Sequence, residues 1–269
     1  MSNLTPILKT AFSEITLADA KSHKGQNGKL LIIGGSDLFH AASKWSLDVA
    51  SKIVDMVFYA STPSNNKLIK EAKEKFWNGI VIERKQIENY IQEADVVLIG
   101  PGMDRSFYTK LLVNKLLKKY ADKKWVIDAG ALQMLDIKLL KQNHVITPHH
   151  QEMDLLKNKS ELFDEQNYQA NCYCLLKGPI DKVFSPQNPQ AVEVKGGNAG
   201  MTKGGTGDVL AGLLAALYCK SSALNSCLVA SYINKKAGEE LYLKQGPYFN
   251  SSDLVEMIPA TLWQALQNN

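Results

Sequence analysis

The sequence has few cysteines, and the spacing of the four it has argues against a structural metal site. Cys172 and Cys174 lie in an apolar run, where alternate residues share one face of a strand. A zinc site would need two further ligands nearby, and no paired Cys or His spacing supplies them. Cys219 and Cys227 stand apart from this pair. We therefore expect free thiols buried in the core of a protein from a reducing compartment.

Long hydrophobic runs are also missing. No stretch reaches the roughly 18 apolar residues that a membrane-spanning helix needs, and the first residues lack the apolar core of a secretory signal. We therefore expect a cytoplasmic protein with no membrane partner. The net charge of +4, from 31 basic and 27 acidic residues, is too balanced to indicate nucleic-acid binding, so no nucleic-acid partner is expected.

What the sequence does contain is a series of short apolar runs that alternate with helical patterns. The runs predict parallel strands buried on both faces, at 29–35, 56–61, 79–83, 95–102, 124–132 and 144–149. Helical patterns lie between many of them, at 41–54, 86–93, 106–119 and 150–158. This alternation predicts an α/β fold with a mostly parallel sheet and helices on both of its faces.

The pattern changes after about residue 160. Three closely spaced strands predict a hairpin-like edge of the same sheet, at 172–178, 181–186 and 190–194. Helical patterns follow, at 206–219, 222–243 and 251–265. No linker rich in Pro, Gly or Ser interrupts the 269 residues, so we expect a single domain over 1–269.

Four predicted strands end in glycines or polar residues that suit a ligand site. Their ends read Gly34-Gly35-Ser36, Gly100-Pro101-Gly102, Asp128-Ala129-Gly130 and Thr147-Pro148-His149. Ligands in such folds bind at the carboxyl ends of the strands, and glycine lets them approach the backbone closely. Four such ends predict a cleft along this edge of the sheet.

A glycine-rich stretch, GGTGD at 204–208, directly precedes a predicted helix. Glycines at this point let successive N–H groups turn inward, and the helix N-terminus adds partial positive charge, so the segment predicts an anion site. The segment matches neither the G-x-x-x-x-G-K-[ST] phosphate loop nor the dinucleotide fingerprint. Its expected guest is a phosphate or a phosphoryl group in transfer.

Asp208 closes this stretch, and two interpretations compete for it. It could be a helix-favouring acid next to an N-cap at Thr206. Alternatively, it could act as a general base that takes a proton from a substrate hydroxyl while loop amides hold the phosphoryl group. The surrounding glycines, with Lys203 and Asn198 upstream, favour the general base.

Several motifs together resemble one protein family. GGTGDVLAG is similar to the G-x-G-D anion-hole motif of the ribokinase superfamily. The wider set of motifs follows the order seen in one branch of that superfamily: KLLIIGGS, VLIGPGM, VIDAGAL, ITPHHQEMDLL, LLKGPID and GGNAGMTKGGTGDVLAGLLAAL. That branch is the carbohydrate-kinase-like NAD(P)H-hydrate dehydratase family, and the resemblance spans about 22–265. It implies a ribokinase-like three-layer α/β/α sandwich with a mostly parallel central sheet.

The resemblance also implies a repair reaction. Family members restore hydrated NADH or NADPH by phosphorylating the hydrate hydroxyl and eliminating phosphate, with ADP or ATP as co-substrate and Mg²⁺. ADP is the expected donor for this chain. The family tends to form homo-oligomers, and it works with an epimerase whose fused domain is expected to be absent here, so a separate epimerase is the expected partner.

Residue roles follow from the same motifs. The resemblance makes Asp208 the base and the amides of Gly205, Thr206 and Gly207 the anion hole. It assigns Ala42, Gly102, His149 and Asp208 to the hydrate, Lys177, Gly178, Pro179, Ile180, Asp181, Asn198 and Gly207 to the nucleotide, and Glu152 to phosphate or magnesium. Simpler interpretations stay open for three of these. His149 could merely bond a neighbour, Glu152 could be a first-turn acid, and Lys177 could be an exposed strand-end lysine.

The sequence departs from the family at three places. Bulky and polar residues occupy 39–54, Asp181 stands where Thr or Ser is usual and would repel a phosphate, and YINKKAGEE at 232–240 replaces a His-Gly pair. Two other functions therefore stay open. One is a small-molecule kinase of the superfamily, for example one acting on a thiamine-precursor alcohol, and the other is a non-catalytic nucleotide-binding module.

Overall fold

A nine-stranded sheet lies at the centre of the computed structural model, which describes residues 5–268. Its strands are β1 (Lys29–Ile33), β2 (Met56–Ala60), β3 (Ile80–Val81), β4 (Val96–Ile99), β5 (Lys124–Ile127), β6 (His144–Ile146), β7 (Tyr173–Leu176), β8 (Asp181–Ser185) and β9 (Asn188–Val194). They are ordered β3-β2-β1-β4-β5-β6-β7-β8-β9. The first seven run parallel, and β8 and β9 each pair antiparallel to the preceding strand. The predicted hairpin-like edge is thus confirmed.

Ten α-helices accompany the sheet in the described residues. They are α1 (Pro6–Ser13), α2 (His40–Ala50), α3 (Pro63–Glu71), α4 (Ile87–Glu93), α5 (Phe107–Lys119), α6 (Ala129–Met134), α7 (His150–Lys159), α8 (Thr206–Tyr218), α9 (Ala223–Gln245) and α10 (Ser251–Gln267). The predicted strand at 124–132 is wrong beyond Ile127, because α6 begins two residues later. The strand predicted at 79–83 shrinks to two residues.

The apolar residues of each strand alternate between two cores. In β1, Leu30 and Ile32 pack with the residues of α1, α2, α8, α9 and α10, whereas Leu31 and Ile33 pack with α4, α5, α6 and α7. Successive strand side chains point to opposite faces, so a continuous apolar strand needs cover on both. The result is the predicted three-layer sandwich, with the mostly parallel sheet in the middle.

Helix α8 is buried almost all round, and its contact with α2 depends on one glycine. A Cβ at Gly212 would lie 2.7 Å from the backbone of Ser46, so only glycine permits this crossing. The close approach brings the N-terminal turn of α8 beside α2, and the Ser46 hydroxyl donates to the carbonyl of Asp208 at 2.8 Å. The packing thereby fixes the segment that carries the candidate base.

The cysteines follow the sequence prediction. All four are buried and free, and burial raises the pKa of the Cys172 thiol to about 12. They therefore stay protonated at neutral pH and act as small core residues. Across residues 5–268, none of the helices is both long and apolar enough for a bilayer crossing.

Candidate active site

Three neighbouring strands deliver polar side chains to one point at the carboxyl edge of the sheet. Asp128 follows β5, Thr147 follows β6 and Lys177 follows β7. Asp128 is only 1% exposed, and its Oδ1 accepts hydrogen bonds from the Thr147 hydroxyl and the Lys177 Nζ, both at 2.7 Å. The buried carboxylate thus has a charged partner and a neutral one, which offset the cost of burying it.

The turn that carries Asp128 is conformationally strained. Ala129 adopts φ 44°, a left-handed backbone that is costly for a residue with a Cβ. Gly100, at the end of β4, lies directly against this turn, and a Cβ there would approach the Asp128 carbonyl oxygen to 1.8 Å. Strain held in place by close packing is characteristic of functional sites.

Asp208 completes the charge cluster from the first turn of α8. Burial raises its pKa, the nearby Asp128 carboxylate raises it further, and the Lys177 ammonium opposes both, for a value of about 7. Lys177 responds in the complementary direction: burial disfavours its charge, but Asp128, Glu152 and Asp208 outweigh burial and raise its pKa. Asp208 is therefore poised to exchange a proton near neutral pH, as a general base requires.

The glycine loop ends at Gly205, which caps α8 with φ 97°. The alternative that placed the N-cap at Thr206 is wrong, because Thr206 already lies in the helix and its hydroxyl donates to Met201 O at 2.8 Å. Within residues 5–268, the amides of Gly205 and Gly207 donate to no protein acceptor. A Cβ at Gly207 would lie 3.5 Å from Lys177 Nζ, so the ammonium group lies beside the Gly207 end of the loop.

The glycine loop is held in place by contacts with α2, with the start of α10 and with the segment before α10. The Ser251 hydroxyl donates to Gly204 O at 2.9 Å, and Lys203 Nζ donates to Pro247 O at 2.5 Å. The Trp45 ring packs so closely that a Cβ at Gly205 would lie 2.3 Å from it. Trp45 is one of the bulky residues in 39–54, and it serves here as a support for the anion loop, a role the sequence did not predict.

A cavity of about 620 Å³ opens beside the loop. Six of the residues predicted to bind the nucleotide line it, together with Thr206: Lys177, Gly178, Pro179, Asp181, Asn198 and Gly207. Ile180 is not among the lining residues and is 40% exposed. The volume is in the range of small-molecule and cofactor sites, and Met201 and Leu210 give one part of it an apolar surface.

Asp181 was expected to repel a phosphate, but its negative charge is paired with a lysine and with hydrogen-bond donors. Its carboxylate accepts hydrogen bonds from Gly178 N at 2.9 Å and from the Ser231 hydroxyl at 2.7 Å, and it lies 3.3 Å from Lys235 Nζ. Lys235 also donates to Gly178 O at 2.9 Å and to Pro179 O at 3.2 Å. Two of the departures from the family pattern therefore form one buried ion pair that shapes the cavity wall.

The residues predicted to bind the hydrate are only partly brought together. A Cβ at Gly102 would lie 3.0 Å from the Cβ of Ala42, so these two adjoin between the end of β4 and the start of α2. His149 lies two strands away, after β6, where its Nδ1 accepts from Glu152 N at 3.3 Å and caps α7. Its side chain remains 48% exposed, so the ring is available to a ligand.

Glu152 is engaged in the protein framework. Its carboxylate accepts from His149 N at 3.0 Å and from Gln133 Nε2 at 2.9 Å, and it completes the capping box of α7. The described part of the chain contains no cluster of three or more His, Cys, Asp or Glu side chains arranged to hold a metal ion. A magnesium ion would thus find no ready-made protein cage here, and Glu152 as its ligand stays a prediction.

Solved structures show which fold class this architecture belongs to. A ribokinase-like superfamily protein from Enterococcus faecalis superposes with a TM-score of 0.81 at 20% identity, covering 96% of this chain and 94% of the other. The predicted ribokinase-like fold is therefore confirmed.

Sequence comparison then narrows the class to a family. The family model described as NAD(P)H-hydrate dehydratase matches residues 30–260, and the chain belongs to this family. A bifunctional NAD(P)H-hydrate repair enzyme from Methanocaldococcus jannaschii is 37% identical over 254 residues, which cover 91% of this chain and 50% of that protein. An ADP-dependent (S)-NAD(P)H-hydrate dehydratase from Cenarchaeum symbiosum is 30% identical over 264 residues, 90% of each chain. The chain thus spans about half the length of the first curated relatives it matches.

Proposed function

We propose that this chain restores NADH or NADPH from the hydrated nicotinamide, with ADP as the preferred phosphoryl donor and ATP as the alternative. The observation that carries the proposal is Asp208, a carboxylic acid with a pKa of about 7 that directly follows Gly207, which has a free amide and lines a cavity of about 620 Å³. The family assignment supports the substrate, and the name of the ADP-dependent relative from Cenarchaeum symbiosum supports the donor.

The first chemical step assigns a role to each group in the cluster. Asp208 takes the proton of the hydrate hydroxyl, and the oxygen attacks the terminal phosphorus of ADP while the bond to AMP breaks. The amides of Gly205 and Gly207 would donate to the charge that develops on the transferred group, and the Thr206 amide, which donates to Lys203 O at 3.5 Å, would have to give up that weak bond to join them. Lys177, adjacent to Gly207, adds a positive charge at the same point.

The second step breaks the C–O bond. Phosphate leaves with the bonding electron pair, the neighbouring ring carbon gives a proton to solvent water, and the electron pair of that C–H bond restores the ring double bond. Phosphorylation is useful because phosphate is a much better leaving group than hydroxide. In this proposal, the loop that holds the phosphoryl group during transfer also receives the departing phosphate.

Magnesium is proposed to arrive with the nucleotide. It usually keeps several waters and is held by substrate phosphates with one or two carboxylates. When bound, it would neutralise phosphate charge. Glu152 is the proposed protein group for it, on the resemblance alone, and the residues described here assign it no further step.

Further proposals concern the setting of the enzyme. We infer a homo-oligomer, an epimerase as a functional partner, and a cytoplasmic location. The first is supported by the exposed apolar side chains of Phe107, Tyr108 and Leu111 at the start of α5. The second rests on the family resemblance alone.

The defining experiment follows the return of reduced-nicotinamide absorbance from the hydrate, with ADP and ATP compared. Turnover that releases inorganic phosphate supports the proposal. A product that keeps its phosphate would instead identify a small-molecule kinase. Nucleotide binding with no product from any hydrate would identify a binding module.

The pH profile provides a quantitative prediction. The base works only when ionised, so we expect kcat to rise as pH increases through about 7. Asp128→Asn removes the like charge that helps to raise the Asp208 pKa, so the rising limb should move to lower pH. Glu93→Gln serves as the control. It changes an exposed carboxylate before β4, at the opposite edge of the sheet, and should leave the pH dependence of kcat unchanged. An unmoved limb in Asp128→Asn would mean that another group controls the rate.

A further inference from the structure

Lys235, a buried lysine of α9, connects two backbone segments of the nucleotide cavity. It is 6% exposed and lies in the cavity wall. Its Nζ donates to the carbonyls of Gly178 and Pro179, in the turn between β7 and β8, at 2.9 and 3.2 Å. It also donates to the carbonyl of Gly196, in the segment after β9, at 3.5 Å. All three of these backbone residues line the cavity, so one ammonium group joins two parts of its wall.

The backbone itself does not provide this connection. The pairing of β8 with β9 ends at Asp181 and Val194. Beyond that pair, no backbone hydrogen bond joins the turn at 178–180 to the segment at 195–198 in the part of the chain that the structure describes. Among the side chains described there, that of the buried lysine is the one that hydrogen-bonds to both segments. The spacing between the two segments therefore depends on it.

A simpler role for Lys235 would be to neutralise Asp181. Its Nζ lies 3.3 Å from the Asp181 carboxylate, farther than from Gly178 O. The carboxylate also has two hydrogen-bond donors of its own, Gly178 N at 2.9 Å and the Ser231 hydroxyl at 2.7 Å. Neutralisation alone would not require carbonyl oxygens from two segments around the ammonium group. The contacts fit a bridge between the segments, in which the carboxylate offsets the cost of burying the positive charge.

We propose that Lys235 is a positioning residue for the nucleotide. By fixing the spacing between 178–180 and 195–198, it holds the part of the cavity away from the glycine loop in the shape that receives the AMP part of the nucleotide. The inference rests on the proposed function, because it assumes that the cavity binds ADP or ATP with the phosphates at the glycine loop. A wall that is already ordered spares the ligand the cost of ordering it.

The test removes both charges of the buried pair. Lys235→Met alone leaves the Asp181 carboxylate buried without its charged partner, so it should lower the unfolding temperature. The double variant Asp181→Asn with Lys235→Met buries no charge there, and the new side-chain amide can still accept from Gly178 N. Most of the lost unfolding temperature should therefore return. The net charge of the cavity wall equals that of the wild type, but the bridge to the carbonyl groups is absent.

The double variant should bind nucleotide weakly although it is stable. Fixing the backbone of even one residue on binding costs about a factor of ten in affinity, so calorimetry should show about tenfold weaker binding of ADP. The KM for ADP should rise by the same factor, and kcat at saturating ADP should stay within about twofold of the wild type, because Asp208 is not part of the bridge. AMP, which lacks the transferred phosphate, should lose affinity by the same factor as ADP.

Lys182→Met is the matched control. Lys182 follows Asp181 in β8 and pairs with Glu165 at 3.1 Å, but it is not among the residues that line the cavity. This variant also removes a lysine from an ion pair on the same strand. We expect it to bind ADP and AMP as the wild type does.

Failure of the inference is distinct from failure of the proposed function. If ADP affinity returns together with the unfolding temperature in the double variant, Lys235 only neutralises Asp181 and the inference is wrong. A loss of affinity for ADP without a loss for AMP would also overturn it, because the effect would then lie at the transferred phosphate. Wild-type protein that binds no ADP at all would instead overturn the proposed function.

Discussion

Asp208→Asn is expected to lower turnover of the hydrate by roughly 10²- to 10⁴-fold, the usual contribution of a general base. The amide has nearly the same shape as the carboxylate, so the loop and cavity should be preserved, and ADP affinity should change little. Turnover and calorimetric binding, measured on the same preparation, separate the two effects. Glu256→Gln changes an exposed carboxylate on α10 that pairs with Lys52; it is the control and should leave both unchanged.

The same variant has a predicted signature in stability. The folded-state pKa of Asp208, about 7, lies above its ordinary value of 3.8, so folding favours the protonated acid. That contribution is fully present below about pH 4 and is lost as pH rises through 7. As pH rises from about 4 to above 7, the unfolding temperature of Asp208→Asn should therefore increase relative to that of the wild type. Unchanged turnover, or a stability difference that does not vary with pH, would show that Asp208 is not the buried base described above.

The sequence predicted the sheet well because burial and strand length are encoded locally. Short continuous apolar runs such as that of β4, followed by glycine and proline, are typical of strands covered on both faces. Three helices were missed: α1, α3 and α6. Helix α1 is eight residues long, α3 is mostly polar, and α6 is short and begins at Ala129, directly after a strand and in a strained turn. None of the three has a long apolar period from which a helix can be recognised.

The strand-end positions of Asp128 and Lys177 were predictable from the sequence, but the contact between them was not. Asp128 and Lys177 were each placed at a strand end, yet their contact depends on the order β5-β6-β7 and on a register that no local pattern specifies. The pairing of Asp181 with Lys235 joins residues 54 positions apart. A carboxylate at 181 suggested repulsion of phosphate only because its partner on α9 could not be predicted from the sequence.

Burial explains why these pairings matter for function. An exposed Asp–Lys pair would contribute little, since water screens both charges. Here the Lys177 side chain is only 18% exposed and that of Asp128 only 2%. Their interaction therefore influences Asp208 across a poorly solvated space, and the pKa of the base depends on how the whole cluster is charged.

Lys177→Met is expected to combine a large loss of activity with a large loss of stability. It leaves Asp128 buried without its charged partner, which costs about 3–5 kcal/mol of unfolding free energy. It also removes the ammonium that lowers the Asp208 pKa, so any residual rate should rise at higher pH than in the wild type. Denaturant unfolding and a pH profile of kcat measure the two consequences.

The double variant Asp128→Asn with Lys177→Met separates the two losses. This variant carries neither charge. The side-chain amide introduced at position 128 can still accept a hydrogen bond from the Thr147 hydroxyl, which lies 2.7 Å from the Asp128 carboxylate in the wild type. Most of the lost unfolding free energy should therefore return, because no unpaired charge remains buried. Activity should stay at least about 100-fold low, since nothing replaces the positive charge beside Gly207. If stability fails to return, the pair is not the source of the loss. If activity returns, Lys177 has no part in holding the phosphoryl group.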